Sequence, residues 1–137
     1  LRGWAEFFPN AQVYGADIDR DILFEEGRIR TYYCDQGSPE VIRNMWSIPE
    51  LQEDFDIIVE DGLHAFSHNV IFLENSIHKV KVGGVYITED IPSFMLNEYN
   101  EQMQKWIEKY PNYDFRLYPV EYSNNGANVV LVAQRKS

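Results

Sequence analysis

The apolar positions of the chain alternate between the period of a helix and the period of a strand. Trp4, Phe7 and Phe8 have helical spacing, and Pro9-Asn10 ends that segment. Gln12–Ala16 is a short β-rich run that ends in Asp17-Ile18-Asp19, and Ile29–Cys34 is a second, ending in Asp35-Gln36. Ser38 suits an N-cap and Pro39 a first helical position, so a helix is expected through about Trp46. Phe55–Val59 is a strand-like apolar run that leads into Glu60-Asp61-Gly62. From Ala65 to Val80, Phe66, Val70, Leu73 and Ile77 share one helical face. Gly83-Gly84 then reads as a turn into a strand over Val85–Thr88, with Glu89-Asp90 at its tip. Phe94 to Tyr110 forms another amphipathic helix through Leu96, Tyr99, Met103, Trp106 and Ile107. Tyr113–Val120 and Val129–Ala133, joined by a turn around Asn124-Asn125-Gly126, predict a closing β-hairpin.

Strands that alternate with helices predict an α/β fold: a doubly wound, mostly parallel sheet covered on both faces. The hairpin adds an antiparallel edge at the C-terminal end. No repeat, low-complexity tract or linker divides residues 1–137, so they read as one domain. Trp4, Phe7, Trp46, Trp106 and Tyr113 are expected in the core or against the hairpin. Tyr118 and Tyr122 are candidates for lining an acceptor pocket, although no sequence feature directs them there.

Composition narrows the partners. With 22 acidic against 12 basic side chains, the formal charge is −10. Such a surface repels phosphate backbones and anionic lipid, which argues against a nucleic-acid or membrane partner. No apolar run approaches the roughly 20 residues a bilayer span needs. Cys34 is the only cysteine and falls in a predicted strand, where it reads as a small buried hydrophobe. A reducing, cytoplasmic setting fits.

The acids are not scattered. The first four strand candidates run into Asp17/Asp19, Asp35, Glu60/Asp61 and Glu89/Asp90. Ligands of open α/β sheets bind outside the carboxyl ends of the strands. Acids there also serve as turn formers and helix caps, but four strands in a row favour a ligand edge. If the third and fourth of these strands are neighbours, about 4.8 Å apart, Asp61, Glu89 and Asp90 converge. Three ionised carboxylates need a counter-charge, and oxygen ligands suit Mg²⁺, Ca²⁺ or Mn²⁺ better than Zn²⁺. A cation on a substrate hydroxyl lowers its pKa, and His64 can take the proton. His64 and His68 with Asp61 also offer a zinc-like spacing, but that spacing recurs by chance and no cysteine lies near. His68 reads as a polar helix residue and His78 as solvent-facing.

QVYGADID (12–19), YCDQ (33–36), FDIIVEDGLH (55–64) and KVGGVYITEDI (81–91) occur in the order and spacing of class I S-adenosylmethionine-dependent methyltransferases. The chain most resembles the metal-dependent O-methyltransferases of natural-product sugars and their cephalosporin-hydroxylase-like relatives, which carry "DDGSH" after the fourth strand and "ED" after the fifth. The resemblance covers nearly all of residues 1–91. It implies a Rossmann-like sheet in which Asp17 accepts from the ribose hydroxyls, and Asp35 with Gln36 approaches the adenine. It implies that Asp61, Glu89 and Asp90 hold Mg²⁺, and that His64 is the general base for O-methyl transfer to a small-molecule hydroxyl.

The chain departs from the pattern at Glu60, where the family has a first Asp, and at Leu63, where it has Ser. LRGWAEFFPNA (1–11) matches the family's first helix from its first turn, and residue 1 is leucine. The family's first strand and Gly-rich loop are therefore expected upstream. Without them this chain is expected to be impaired or inactive, to leave open sheet edges, and to be able to dimerise through them. Two alternatives compete: a non-catalytic methyltransferase-like module that self-associates, and a nucleotide-dependent oxidoreductase. The acid after the second family strand suits the oxidoreductase equally well, but the acids of the fourth and fifth do not.

Overall fold

The computed structural model describes residues 1–120 and 128–137. The tip of the predicted hairpin, Asn124-Asn125-Gly126, and Tyr122 lie outside the described residues. Helix α1 (Arg2–Phe7) leads into strands β1 (Val13–Asp17), β2 (Glu25–Glu26) and β3 (Ile29–Tyr33). Helix α2 (Pro39–Trp46), strand β4 (Phe55–Glu60) and helix α3 (Phe66–Ser76) follow. Strand β5 (Val80–Pro92), helix α4 (Leu96–Lys109) and the antiparallel pair β6 (Tyr113–Val120) and β7 (Asn128–Arg135) complete the chain. The Ser38 hydroxyl caps α2 by accepting from the Val41 amide at 3.4 Å, with Pro39 at the first position.

The strands form two sheets, in the orders β1-β3-β2 and β4-β5-β7-β6. β1 pairs with β3, and β4 with β5, in parallel, while β2-β3, β5-β7 and β6-β7 are antiparallel. The pairing is thus more mixed than the sequence predicts, because β7 inserts between β5 and β6 and the two-residue β2 folds back on β3. Among the described residues, β1 and β4 each have one unpaired edge, as the sequence reading expects. The Tyr14 and Phe55 rings of these strands still meet edge to face at 5.6 Å.

Two apolar clusters hold the halves together. Ile58, Leu73, Tyr86, Tyr99, Trp106 and Leu131 centre the larger one, between the second sheet and helices α3 and α4. Cys34, Ile42, Met45 and Leu51 form the smaller one, against which Tyr14, Trp46 and Phe55 pack. Burial pushes the Cys34 thiol up to about 11, consistent with an inert core position.

Two expectations need correction. Trp4 and Phe7 are 43% and 75% exposed, and α1 buries none of its residues. The helix is held by polar ties instead: Arg28 donates to the Phe8 carbonyl at 2.9 Å and to those of Ala5 and Ala11. Gly83-Gly84 is not a turn but lies inside the thirteen-residue β5. The pairing with β4 shifts register between Phe55 and Ile57, and a Cβ on Gly84 would come within 2.7 Å of the Asp56 carbonyl oxygen. Among the described residues, no helix is long and apolar enough to cross a membrane.

Candidate active site

The acids singled out in the sequence lie at or near the carboxyl ends of the parallel strand pairs. At the end of β1, Asp17 is half-buried and its Oδ1 accepts from the Asp19 amide at 2.8 Å. Its backbone oxygen accepts from the Cys34 amide at 2.9 Å, so the ends of β1 and β3 stay together and Asp35 follows directly. Asp35 Oδ1 accepts from the Gly37 amide at 2.9 Å.

Across the gap, β4 and β5 are neighbours with Glu60 opposite Thr88. One ligand atom from each of Asp61, His64 and Asp90 lies within 4.8 Å of the others. His64 Nε2 is 3.8 Å from Asp61 Oδ1, while its Nδ1 is buried and has no partner among the described residues. Both His64 (φ 55°) and Asp90 (φ 51°) adopt the left-handed backbone that bulky residues seldom take. Glu89 and Asp90 are therefore not at a strand tip but at a bulge, where the β5–β7 register shifts between Thr88 and Ile91. Asn128 on β7 donates to Asp90 Oδ1 at 3.1 Å.

Glu89 stands outside the tight group formed by Asp61, His64 and Asp90. Burial, then the charges of Asp61 and Asp90, push its carboxyl above the ordinary range. That repulsion is what a bound cation would relieve. His68 is not in the group; its Nδ1 lies 3.3 Å from Ser67 Oγ. His78 is exposed, as expected.

Glu60 and Gln36 take parts that sequence reading missed. Glu60 is buried, and its Oε1 accepts from the Gly62 amide and from Gln36 Nε2, both at 3.0 Å. Burial raises the Glu60 carboxyl, and these two hydrogen bonds oppose the rise. Gln36 Oε1 in turn accepts from the Leu63 amide at 3.0 Å. The partners lie 24 and 27 residues apart, so no local spacing signals them. The same holds for Asn128 and Asp90.

This edge groups two carboxylates and an imidazole that could hold a cation, and a second pair of carboxylates, Asp17 and Asp35, stands at the ends of β1 and β3. No family model matches the chain. It is 36% identical over 91 residues to mycinamicin VI 2''-O-methyltransferase of Micromonospora griseorubida. It is 31% identical over 91 residues to 8-demethyl-8-alpha-L-rhamnosyl tetracenomycin-C 2'-O-methyltransferase of Streptomyces olivaceus. The sequence relatives of this chain are O-methyltransferases. Each match covers 66% of this chain but only 22% and 23% of the respective relative. A solved methyltransferase, MycE of the mycinamycin biosynthetic pathway in complex with Mg and SAH, superposes with a TM-score of 0.70 at 24% identity. That match covers 98% of this chain and 39% of the solved one, so the fold is that of a methyltransferase. The resemblance drawn from the four motifs stands on both comparisons.

Proposed function

We propose that this chain belongs to an S-adenosylmethionine-dependent, Mg²⁺-assisted O-methyltransferase that acts on a hydroxyl of a small molecule, a sugar or sugar-bearing natural product. The observation that carries the reading is the convergence of Asp61, His64 and Asp90 where the end of β4 meets the bulge in β5, in a chain related to O-methyltransferases. The match to MycE solved with Mg and SAH supports the choice of cofactors.

In this reading Asp61, Glu89 and Asp90 are the ligands of a hard divalent cation. Two carboxylates already face one another, and the raised Glu89 carboxyl, pushed up by burial and by the charges of Asp61 and Asp90, fits a third whose charge a cation would favour. Asp17 offers two acceptor oxygens to a ribose diol, and Asp35 with Gln36 faces the adenine end. When bound, the cation supplies acidity to the acceptor hydroxyl, and the cofactor supplies an electrophilic methyl group. His64 Nε2 accepts the hydroxyl proton, and Asp61 beside it stabilises the imidazolium that results. The protein otherwise contributes orientation. Leu63, between Asp61 and His64, and Phe94, four residues after Asp90, are 62% and 79% exposed and offer apolar contact to an acceptor.

The acidic surface supports a small-molecule partner over nucleic acid, and a cytoplasmic setting fits the single buried thiol. The free edges of β1 and β4 favour one second reading, self-association through a further strand. Calorimetry with S-adenosylhomocysteine and Mg²⁺ tests the main reading. Both should bind, Asp17→Ala should weaken the nucleoside alone, and His64→Ala should bind both yet lose at least about 100-fold in methyl transfer. Failure of the intact protein to bind either ligand contradicts it.

A further inference from the structure

The turn that carries Asp61 and His64 is not held by its own residues. Its two central amides, Gly62 and Leu63, donate in opposite directions: one to Glu60 Oε1, the other to Gln36 Oε1. Gln36 Nε2 closes the ring onto the same Glu60 oxygen. A carboxamide suits this, since it presents an acceptor and a donor from one planar group without titrating. The fit is close, because a Cβ on Gly62 would fall on Gln36 Oε1. Glu60 is 3% exposed, which fixes the anchor. The next residue, His64, is held at φ 55°, where a free turn would not keep it.

We propose that Gln36 and Glu60 are a positioning pair: they hold the 61–64 turn so that Asp61 and His64 face Asp90. The pair crosses from the end of β3 to the end of β4, so it ties the edge of the first sheet to that of the second. Its value for cation binding rests on the reading of that edge given above; its effect on the turn does not. The exchange of Glu60 for the family's shorter Asp accompanies this arrangement, and the longer side chain is the one that reaches Gln36 here.

The test uses Gln36→Leu, Gln36→Glu and the swapped pair Gln36→Glu/Glu60→Gln in the intact protein. In the swap, Gln at 60 supplies the donor and Glu at 36 the acceptor of the bond between them, and residue 36 keeps an acceptor for the Leu63 amide. The 36–60 and Leu63 hydrogen bonds are restored, the first with donor and acceptor reversed, while the Gly62 amide, which shares Glu60 Oε1 with Gln36 Nε2 in the wild type, loses its acceptor. Two readouts are taken: backbone exchange of the Leu63 amide by NMR, and Mn²⁺ affinity from water-proton relaxation. Gln36→Leu removes the Leu63 acceptor and Gln36→Glu sets a carboxylate against Glu60, so both should speed Leu63 exchange at least about tenfold and weaken Mn²⁺ about 10–100-fold, as loss of a ligand-orienting partner does. The swapped pair should recover Leu63 protection and part of the Mn²⁺ affinity. Unchanged Leu63 exchange in the single variants, or a swapped pair no better than Gln36→Glu, overturns the proposal. If the wild-type protein binds no Mn²⁺, the cation reading falls, and the amide exchange alone decides the pair.

Discussion

Burial and the charges of Asp61 and Asp90 act on the Glu89 carboxyl, and their effect has a sign that can be measured. The raised Glu89 carboxyl means that its charge opposes folding in the metal-free protein. The penalty is complete above the raised folded-state pKa and fades as pH falls through it. Glu89→Gln should therefore raise metal-free stability at pH 7 by about 0.5 kcal/mol, in urea unfolding, and remove that part of the gain on acidification. The same variant should weaken Mg²⁺. Asp61, His64 and Asp90 were legible in sequence because each sits in a short motif just past an apolar run. The distinction between Glu89 and Asp90 was not. A regular pleat puts neighbours on opposite faces, and only the bulge at Asp90, seen once β7 pairs with β5, decides which one joins Asp61. Gln36 was read as a cofactor residue alone. Its side-chain partners are more than twenty residues away, beyond any local pattern.

Helices with one apolar face and short strands with acidic ends were readable from period alone, and α2 with its Ser38 cap appears as the sequence predicts. Glycine was the source of error. Two glycines in succession read as a turn, but Gly84 lies where β4 comes too close for any side chain. Gly84→Ala should force the strands apart and cost about 1–3 kcal/mol, seen as a lower urea midpoint with the fold retained. Apolar spacing also overstated α1. Phe7 and Trp106 both look like core residues in sequence, yet Phe7 is 75% exposed and Trp106 is fully buried, with its indole donating to Glu74 at 3.0 Å. Phe7→Ala should change stability by less than about 0.5 kcal/mol. Trp106→Ala should cost about 3–5 kcal/mol. Comparable losses in the two would contradict the packing described.

At the scale of the whole molecule, one carboxyl edge runs across two sheets. The half built on β1 and β3 carries Asp17 and Asp35; the half built on β4 and β5 carries Asp61, His64 and Asp90. Helices α2 and α3, the Tyr14–Phe55 contact and the Gln36–Glu60 pair join them. The order of strands and the acidic edge were legible, because each follows from local runs. The open edges of β1 and β4 were expected too, whereas the insertion of β7 between β5 and β6 is a property of which strands pair and emerges only in three dimensions. The net charge of −10 gives the edge a negative field that attracts cations, so binding by itself is weak proof of a site, and dependence on the named ligands is the stronger test. The central claim is that Asp61 and Asp90 bind one hard divalent cation. Titration of Mg²⁺ by calorimetry, in wild-type protein and in Asp61→Asn/Asp90→Asn at physiological ionic strength, tests it most directly. The account predicts a single site in the wild type and its loss in the double variant; equal affinity in the two proteins would contradict it.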